Sequence, residues 1–462
     1  KEGPNSLPGR GRRLITFTDS RQGTAKISVS MQQEAERSHF RGVLIRELRK
    51  SLEERMDLEP GILEKIEAYR SMPLEKVKEL LPVLEQVNVE DAKALKAYVN
   101  AVEGGGKSKS YPKPMAWPDL INIIKSDNDI AQSMTLENRY LAPEVFERSD
   151  ATKLSEMLLT REVARRPKFR NNIETQGLIK LVYPGIESLE KIPEFWEAHK
   201  LTLQDWKDYL KVCMDFYVRE NTFVAVNDEW SRWIGMHFYP KFLIDPESRD
   251  EDENRIKKWP LVRTGNTRQQ RIITLLAKAV GFEQIDTKQE NILNTWLKAA
   301  WKVLVESRTL TEGSNKQYQL RLNTVQFSLM SDAYICPITN KLLDTVFKDM
   351  TPYIPWNKAS KDFLCEKVAL PSIWEFNSGT NVSTFVDEVR EKVGNDDKVR
   401  MLREQNLWTD INDRAVEGGF YYTNAEHSAQ QSSENLERYE EWFKKGRKNV
   451  LNCSTTMEMG VD

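Results

Sequence analysis

The chain has 462 residues, with 68 lysines and arginines against 70 acidic residues and a formal net charge of −2. This balance excludes a histone-like basic tail but allows a basic groove on an otherwise mixed surface. No uncharged apolar run approaches the roughly 18 residues that a membrane-spanning helix requires. The four cysteines lie too far apart for a zinc ribbon or a disulfide-stapled secreted domain. We therefore expect a multi-part globular protein of the cytoplasm, with no membrane partner.

The first elements read as half of a strand–helix–strand unit. Leu14–Thr18 is a short apolar, β-branched run, which favours a buried parallel strand. Asp19 and Ser20 are good N-cap residues for the segment that follows, whose residues from Gln22 to about Arg37 favour helix. The sequence thus predicts a strand, a polar tip and a helix in residues 1–50.

The matching half lies near the other end of the chain, in residues 411–462. A strand is predicted at Phe420–Thr423, followed by a polar tip in which Ser428 and Gln431 have capping-box spacing. A helical stripe then ends at Gly446, a natural C′ glycine, and Val450–Cys453 reads as a further strand. Strand tips that run in one order predict a parallel sheet with its functional side chains on one edge.

Residues 51–410 separate these halves, whereas an ordinary connection takes about 2–6 residues. This stretch is predicted to be a mainly α-helical insertion of one or two subdomains. Apolar residues recur at helical spacing from Leu203 to Tyr217 and from Leu293 to Leu304. The fold class is therefore α/β, with a parallel sheet interrupted by a large, mainly helical insertion.

A glycine-rich loop at residues 101–108 satisfies the loose form of a phosphate-binding string. A working phosphate loop needs a strand before it and a helix after it, so that backbone N–H groups converge on phosphate. Here a helical segment precedes the loop and Pro112 follows it. We therefore interpret it as a surface loop.

Two basic clusters inside the insertion are candidate nucleic-acid contacts. Arg161, Arg165, Arg166, Lys168 and Arg170 form the denser one, with Phe169 among them, and Arg263, Arg268 and Arg271 form the other. Cations interleaved with aromatic rings suit backbone contact and base stacking on a single strand. A solvated helix face with compensating acids is an equally good reading of the same pattern.

Three segments at the predicted strand tips carry a family resemblance. Leu14–Arg21 (LITFTDSR), Glu426–Gln431 (EHSAQQ) and Ser454–Asp462 (STTMEMGVD) resemble motifs IV, IVa and V of superfamily-2 DEAD/DEAH-type helicases. These motifs belong to the second RecA-like lobe of that family. The amino-acid sequences of these segments are also similar to those of large bacterial anti-phage defence helicases of the Druantia and DISARM types. The resemblance implies an incomplete C-terminal lobe of a DNA helicase or translocase.

The resemblance also implies roles for particular residues. The resemblance places nucleic-acid contacts at the strand tips, on Ser20, Arg21, His427, Ser428 and Ser454. The basic cluster adds Arg165 and Arg166 as further candidate contacts. Gly460 and Asp462 align with residues that approach ATP. Ser20 could instead be a plain N-cap, and His427 a solvated loop histidine.

Several parts of a complete helicase are not found in the sequence. No catalytic residue, phosphate-loop lysine or motif VI arginine is identified, and no metal ligand set is expected. Phosphoryl transfer needs those parts together. ATP and Mg²⁺ are therefore expected only with a first lobe, and the chain, read as a piece of a longer protein, should be inactive alone. The expected partners are DNA, single-stranded or being unwound, and defence-system proteins. The alternative function is that of a non-catalytic nucleic-acid-binding or scaffolding protein with a RecA-like fold.

Overall fold

The computed structural model describes residues 12–18, 21–56, 62, 66, 69, 72–103, 108–146, 150–168, 171–235, 239–249, 254–263, 269–358, 360–376, 382–418, 421–428 and 430–454. The chain forms two compact units, the larger from Lys1–Arg49 and Pro114–Asp462 and the smaller from Lys50–Lys113. The predicted insertion, residues 51–410, is divided between these two units. Most of the predicted insertion belongs to the same unit as the two chain ends.

The two chain ends meet in a parallel sheet. Among the described residues, its strands lie in the order Leu14–Thr18, Val450–Ser454 and Asn424–His427. Leu14 pairs with Val450 and Thr18 pairs with Ser454, without a break in register. The prediction that the first and last strands share one parallel sheet is confirmed, although roughly 430 residues separate them in sequence.

The middle strand, Val450–Ser454, is buried along its whole length. Its position between two neighbours explains why the sequence reads as a continuous apolar run broken only by Asn452. The Thr16 hydroxyl donates a hydrogen bond to the Asn452 side-chain oxygen over 2.5 Å, which satisfies that buried acceptor. The Leu14–Thr18 strand, at one edge of the sheet, is less buried, since Leu14 and Phe17 are each 52% exposed.

The third strand lies later in the sequence than predicted. It comprises Asn424–His427, so His427 belongs to the strand itself rather than to a loop after it. The helix that follows begins at Ser433, where the Ser432 side chain caps the N–H of Asn435, and not at the capping box predicted from Ser428. Its end matches the prediction, because Gly446 follows the last turn with a φ of 74°.

The first helix, Arg21–Leu48, is enclosed on every side in its second half. Residues 39–45 are all buried, including the charged Arg41. A helix on a protein surface would show an apolar stripe and a polar face instead. This helix therefore needs polar partners on the side that does not face the sheet.

Those partners come from the inserted region and from the last strands. Arg41 contacts Glu162 at 2.9 Å, and Arg161 donates to Glu36 at 3.2 Å. Gln32 links the helix to the sheet by accepting from the backbone N–H of Asn424 at 2.7 Å. We refer to these contacts as the helix seam. They explain why residues beyond Pro114 pack with the chain ends as one unit.

The rest of the larger unit mixes helices with short strands. Its α-helices are Trp117–Ile124, Thr135–Leu141, Pro143–Phe146, Ala151–Val163, Pro184–Glu187, Leu203–Cys213, Asp228–Trp233, Arg271–Ala279, Thr287–Glu306, Val382–Asn395, Asp397–Glu404 and Asp410–Val416. Two segments, Asp129–Met134 and Met214–Arg219, are π-helical. The predicted helical stripes after Leu203 and Leu293 are confirmed.

Small sheets that the sequence did not suggest accompany these helices. They are built from Met115–Ala116, Ile179–Val182, Phe242–Ile244, Ile256–Lys258, Thr311–Glu312, Tyr318–Gln319, Gln326–Leu329, Asp332–Ile335, Leu342–Leu343 and Glu366–Ala369. Most of their pairings are antiparallel. Strands of two to four residues carry too little periodicity to be recognised from sequence.

An aromatic core holds this part of the unit together. The Trp196 ring meets Trp206 edge-on at 4.9 Å and Trp296 at 5.1 Å, measured between ring centroids. Both indole N–H groups of Trp196 and Trp296 donate to backbone carbonyls, at 2.8 Å each. Edge-to-face packing of this kind adds to the free energy gained by burial alone.

The smaller unit pairs two strands, Leu52–Met56 and Ser108–Pro112, in antiparallel register and contains the helices Leu74–Val87 and Val89–Glu103. The glycines of the phosphate-loop look-alike lie outside the described residues. A helix precedes them and a strand follows, the reverse of the order that a phosphate loop requires. Within the described chain, no helix has both the length and the apolar composition needed to cross a bilayer.

The backbone of the first helix also approaches Gly418 closely at Gly42, and this contact tests how the helix packs. A Cβ placed on Gly42 would lie 2.2 Å from the backbone carbon of Gly418, and neither backbone can retreat easily. We predict that Gly42→Ala lowers the free energy of unfolding by about 3 kcal/mol or more, as measured by chemical denaturation.

Gly394→Ala is the matched control, because a methyl group there meets open space near the end of the Val382–Asn395 helix. This substitution should leave stability unchanged or raise it by at most about 1 kcal/mol. Equal stability of the Gly42→Ala protein and the wild type would contradict the described seam.

Candidate nucleic-acid interface

The carboxyl edge of the parallel sheet is the first predicted site. Thr18 and Ser454 end neighbouring strands in register, so the chain leaves the sheet at one edge after both. Arg21 begins the first helix there, although its side chain is not described. Ser20, Gly460 and Asp462 lie outside the described residues. The structure therefore brings the first and last predicted segments together without testing those side chains.

The other predicted side chains at this edge are buried. His427 is 3% exposed, and its Nε2 atom lies 2.8 Å from a Glu440 carboxylate oxygen. The Ser428 hydroxyl donates to Glu426, and Ser454 is 1% exposed. This arrangement differs from the expectation of solvent-facing phosphate ligands. In the described conformation, these side chains are buried and stabilise the edge of the sheet, and they are not exposed to a ligand.

Glu426 organises the turn after the third strand. Its carboxylate accepts hydrogen bonds from the Ser428 hydroxyl and, at 3.0 Å, from the Gln431 side-chain amide. The Ser428 oxygen in turn accepts from the N–H of Gln430 at 3.3 Å. These bonds fix the turn between the sheet edge and the Ser433–Lys444 helix.

Arg166 occupies the protein interior instead of the predicted nucleic-acid surface. Its side chain is fully buried and contacts Glu174 at 3.1 Å and Asp344 at 2.9 Å. The guanidinium also lies over the Phe216 ring, 4.5 Å from its centroid. A cation enclosed in this way is not available to a phosphate. The prediction of Arg166 as a nucleic-acid contact is therefore corrected to a structural role.

Arg166 belongs to a buried set of three cations and three carboxylates, which we call the central charge network. Its members are Arg166, Lys211, Arg219, Glu174, Asp215 and Asp344. Arg219 bridges two of the acids, lying 2.5 Å from Glu174 and 2.9 Å from Asp215. Lys211 bridges two as well, at 2.6 Å from both Asp215 and Asp344. The equal numbers of opposite charges allow the set to be buried without a large net charge.

Burial and charge act in opposite directions on the pKa values of this network. Burial alone would raise the pKa of Asp344, but the neighbouring charges of Lys211 and Arg166 outweigh it and hold that pKa below its ordinary value. The pKa of Asp215 is lowered for the same reason, with Lys211 the largest opposing influence. Arg166 shows the mirror effect, its pKa being raised by Asp344 and Glu174 against the effect of burial. Asp344, Asp215 and Arg166 are therefore charged near neutral pH.

A local distortion of the backbone aligns part of the network. The Leu203–Cys213 helix continues into the π-helical turn Met214–Arg219, which carries both Asp215 and Arg219. The Tyr183 hydroxyl donates to Asp215 at 2.7 Å and satisfies its remaining acceptor site. Single π-helical turns are frequent where side chains must be placed in an unusual relation.

The two predicted basic clusters meet at one aromatic ring. Lys168 and Arg271 both lie over Tyr353, at 5.3 Å and 4.6 Å from its centroid. Arg165, three residues before Lys168, is exposed, whereas Arg170 and Arg268 lie outside the described residues. We call Lys168, Arg271 and Tyr353 the Tyr353 cluster. Sequence alone gave no reason to bring these cations together.

An acidic residue and a second aromatic ring accompany the cluster. Arg271 forms an ion pair with Glu220 and keeps 30% of its side chain exposed. Trp356, three residues after Tyr353, is half-buried and lies 5.6 Å from the Lys278 ammonium. The Tyr353 ring itself is buried, so the two cations and the half-buried Trp356 are the groups placed to contact a nucleic-acid backbone, without reading its sequence.

A further cluster was not anticipated from the sequence, which predicted no metal site. Among the described residues, ligand atoms of His39, Asp127 and Asp129 lie within 4.8 Å of one another. Burial raises the pKa of Asp129. Burial would also raise the pKa of Asp127, but hydrogen bonds and charge from His39 and Arg46 lower it overall. The histidine and the aspartates are too far apart in sequence to form a recognisable motif.

Comparisons of the chain with protein-family models, with curated proteins and with solved structures found no match. The helicase resemblance therefore depends on the motif residues themselves. Their functional meaning is a proposal.

The central charge network predicts a large effect of removing one cation. Arg166→Met should lower the free energy of unfolding by about 3–5 kcal/mol, because it leaves Glu174 and Asp344 with less compensation in the interior. Lys288→Met, which removes an exposed lysine at the start of the Thr287–Glu306 helix, is the control and should change stability by less than about 0.5 kcal/mol. Similar denaturation midpoints for both variants would show that the buried ion pairs of Arg166 contribute little to the stability of the fold.

The same network predicts acid sensitivity. Asp344 and Asp215 have lowered pKa values in the folded protein, so their contribution to stability is complete above the ordinary value near 3.8 and decreases as pH falls below it. Asp344→Asn should reduce stability at pH 7 and make the loss below pH 4 shallower, by up to about 1.4 kcal/mol per pH unit.

Asp397→Asn is the control for this experiment, because the Asp397 carboxylate is 84% exposed. Denaturation curves between pH 7 and pH 2 give the comparison. An acid dependence that Asp344→Asn leaves unchanged would contradict the assignment.

Proposed function

We propose that this chain is part of an ATP-dependent DNA helicase or translocase that acts in the cytoplasm in bacterial anti-phage defence. The parallel sheet and its helices would form a RecA-like second lobe, with the inserted region folded against it. ATP and Mg²⁺ would bind only together with a first lobe, as Gly460 and Asp462 would complete the nucleotide site. Defence-system proteins are the proposed further partners.

One observation carries this proposal: the in-register parallel pairing of Leu14–Thr18 with Val450–Ser454. The segments that resemble motifs IV and V leave the sheet at the same edge, as they must do to act on one ligand. Parallel sheets place ligand-binding loops at the carboxyl ends of their strands. Two segments that resembled these motifs by chance would have no reason to become neighbours.

The chemistry of this edge suits a nucleic-acid backbone. The Arg21–Leu48 helix begins at the end of the first strand, so the positive end of its dipole and the charge of Arg21 both favour a phosphate at that point. Opening and closing of the cleft with ATP would then alternately hold and release DNA phosphates at this edge. His427, Ser428 and Ser454 would keep the loops in position.

The inserted region would supply a second contact with the same strand. Arg165, Lys168 and Arg271 present cations at or beside the Tyr353 cluster, and Trp356 offers an aromatic face. Such contacts neutralise phosphates irrespective of base sequence. Arg166 has no part in this surface.

We predict that Arg21→Ala, and separately Arg165→Ala, weaken binding of single-stranded DNA without changing sequence preference. Each lost phosphate contact should reduce the slope of log K against log salt concentration by about 0.7 for single-stranded DNA. Fluorescence anisotropy of labelled oligonucleotides in roughly 50–300 mM KCl measures this slope.

The control is Lys288→Ala, which removes an exposed lysine at the start of the Thr287–Glu306 helix. It should leave both affinity and slope unchanged. Slopes equal to that of the wild type for Arg21→Ala and Arg165→Ala would mean that these cations are ordinary solvated surface.

A further inference from the structure

His39, Asp127 and Asp129 converge from two separate parts of the chain. His39 lies in the enclosed half of the first helix, and the two aspartates lie at the start of the π-helical turn Asp129–Met134. The His39 Nε2 atom is 3.0 Å from an Asp127 oxygen and 3.9 Å from an Asp129 oxygen. The side chains of His39 and Asp127 are 6% and 10% exposed, and that of Asp129 is 26% exposed. The site is thus nearly closed, with one side open to solvent.

The Asp127 carboxylate is fixed before any ligand arrives. One of its oxygens accepts from the N–H groups of Asp129 and Ile130, at 3.1 and 3.3 Å. The other oxygen accepts from the Arg46 guanidinium at 3.0 Å. A carboxylate oriented in this way loses little conformational freedom on coordination, and outer hydrogen bonds of this kind commonly accompany metal ligands.

Charged groups of both signs surround the cluster. Asp127 and Glu47 each contact Arg46, and His39 lies between Asp127 and Asp129. A divalent cation beside His39 would be attracted by both aspartates.

We propose that His39, Asp127 and Asp129 bind a divalent transition-metal ion, with Zn²⁺ the preferred one. An imidazole nitrogen favours zinc and its neighbours over Mg²⁺ and Ca²⁺, which prefer all-oxygen sites. Ligand atoms about 2.1 Å from one zinc ion lie roughly 3.0–3.4 Å apart. The 3.0 Å separation already fits, and the 3.9 Å separation needs a shift of about half an ångström.

Coordination would replace one direct contact with another. The Nε2 atom of His39 would release any proton it carries to solvent and bind the metal. A bond from Nε2 to the metal and a bond from the metal to Asp127 would then replace the direct contact between the two side chains. Three protein ligands leave a fourth position for water at the open side. The ion would thereby fasten the first helix to the inserted region, which goes beyond the proposed nucleic-acid function and does not depend on it.

The test uses the intact chain and zinc set to known free concentrations by a chelator buffer. Isothermal titration should give one zinc per chain, and binding should raise the melting temperature. Asp129→Asn and His39→Gln should each weaken zinc binding by at least about tenfold. Asp129→Asn is the decisive variant, because it keeps a side chain of the same shape and leaves the contacts of Asp127 in place.

Two controls exclude binding elsewhere. His199→Gln removes a histidine remote in sequence from the cluster, and Asp397→Asn removes an exposed carboxylate; neither should change zinc affinity. The proposal would be overturned if zinc failed to bind, or if Asp129→Asn and His39→Gln, both shown to be folded by circular dichroism, bound it as tightly as the wild type. Stronger binding of Mg²⁺ than of Zn²⁺ would also overturn the preference.

Discussion

Buried polar contacts between the first helix and its surroundings determine how the larger unit is assembled. Residues 39–45 of this helix and Glu36 are buried, so Arg41 must be satisfied by Glu162, and Glu36 by Arg161. Removing one partner of such a pair costs far more than the pair contributes, since a buried charge is left behind. The sheet and the inserted region are therefore interdependent: neither can move away from the helix without exposing or orphaning these groups.

The central charge network applies the same constraint deeper in the inserted region. Each of its cations contacts at least two carboxylates, so the network specifies one arrangement of the surrounding helices and strands. It also lies beside and supports the Tyr353 cluster, because Arg166 lies over the Phe216 ring, whose centroid is 5.5 Å from that of Tyr353. A surface that grips a nucleic-acid backbone gains from such support, because cations already held in place lose less freedom on binding.

The sequence predicted elements where local chemistry and final environment agree. Leu14–Thr18 and Val450–Ser454 are apolar runs that become paired parallel strands, and Gly446 ends a helix as expected. Only Val450–Ser454 is buried, whereas Leu14–Thr18, which was predicted to be buried, lies at the edge of the sheet and is partly exposed. It failed where distant partners decide the outcome. The polar Asn424–His427 became the third strand, and Arg166 became a buried ion because Glu174 and Asp344 enclose it. The meeting of Lys168 with Arg271, and of His39 with Asp127, depends equally on contacts that no local pattern records.

The central claim is that one nucleic-acid strand lies along the sheet edge and the Tyr353 cluster. Photo-crosslinking tests it most directly: the protein is irradiated with single-stranded DNA that carries 5-iodouracil, and the crosslinked peptides are identified by mass spectrometry. The account predicts crosslinks in peptides that contain the start of the first helix, and in those that contain Tyr353 or Trp356. Crosslinks confined to other surfaces, or their complete absence under conditions in which the DNA binds, would contradict it.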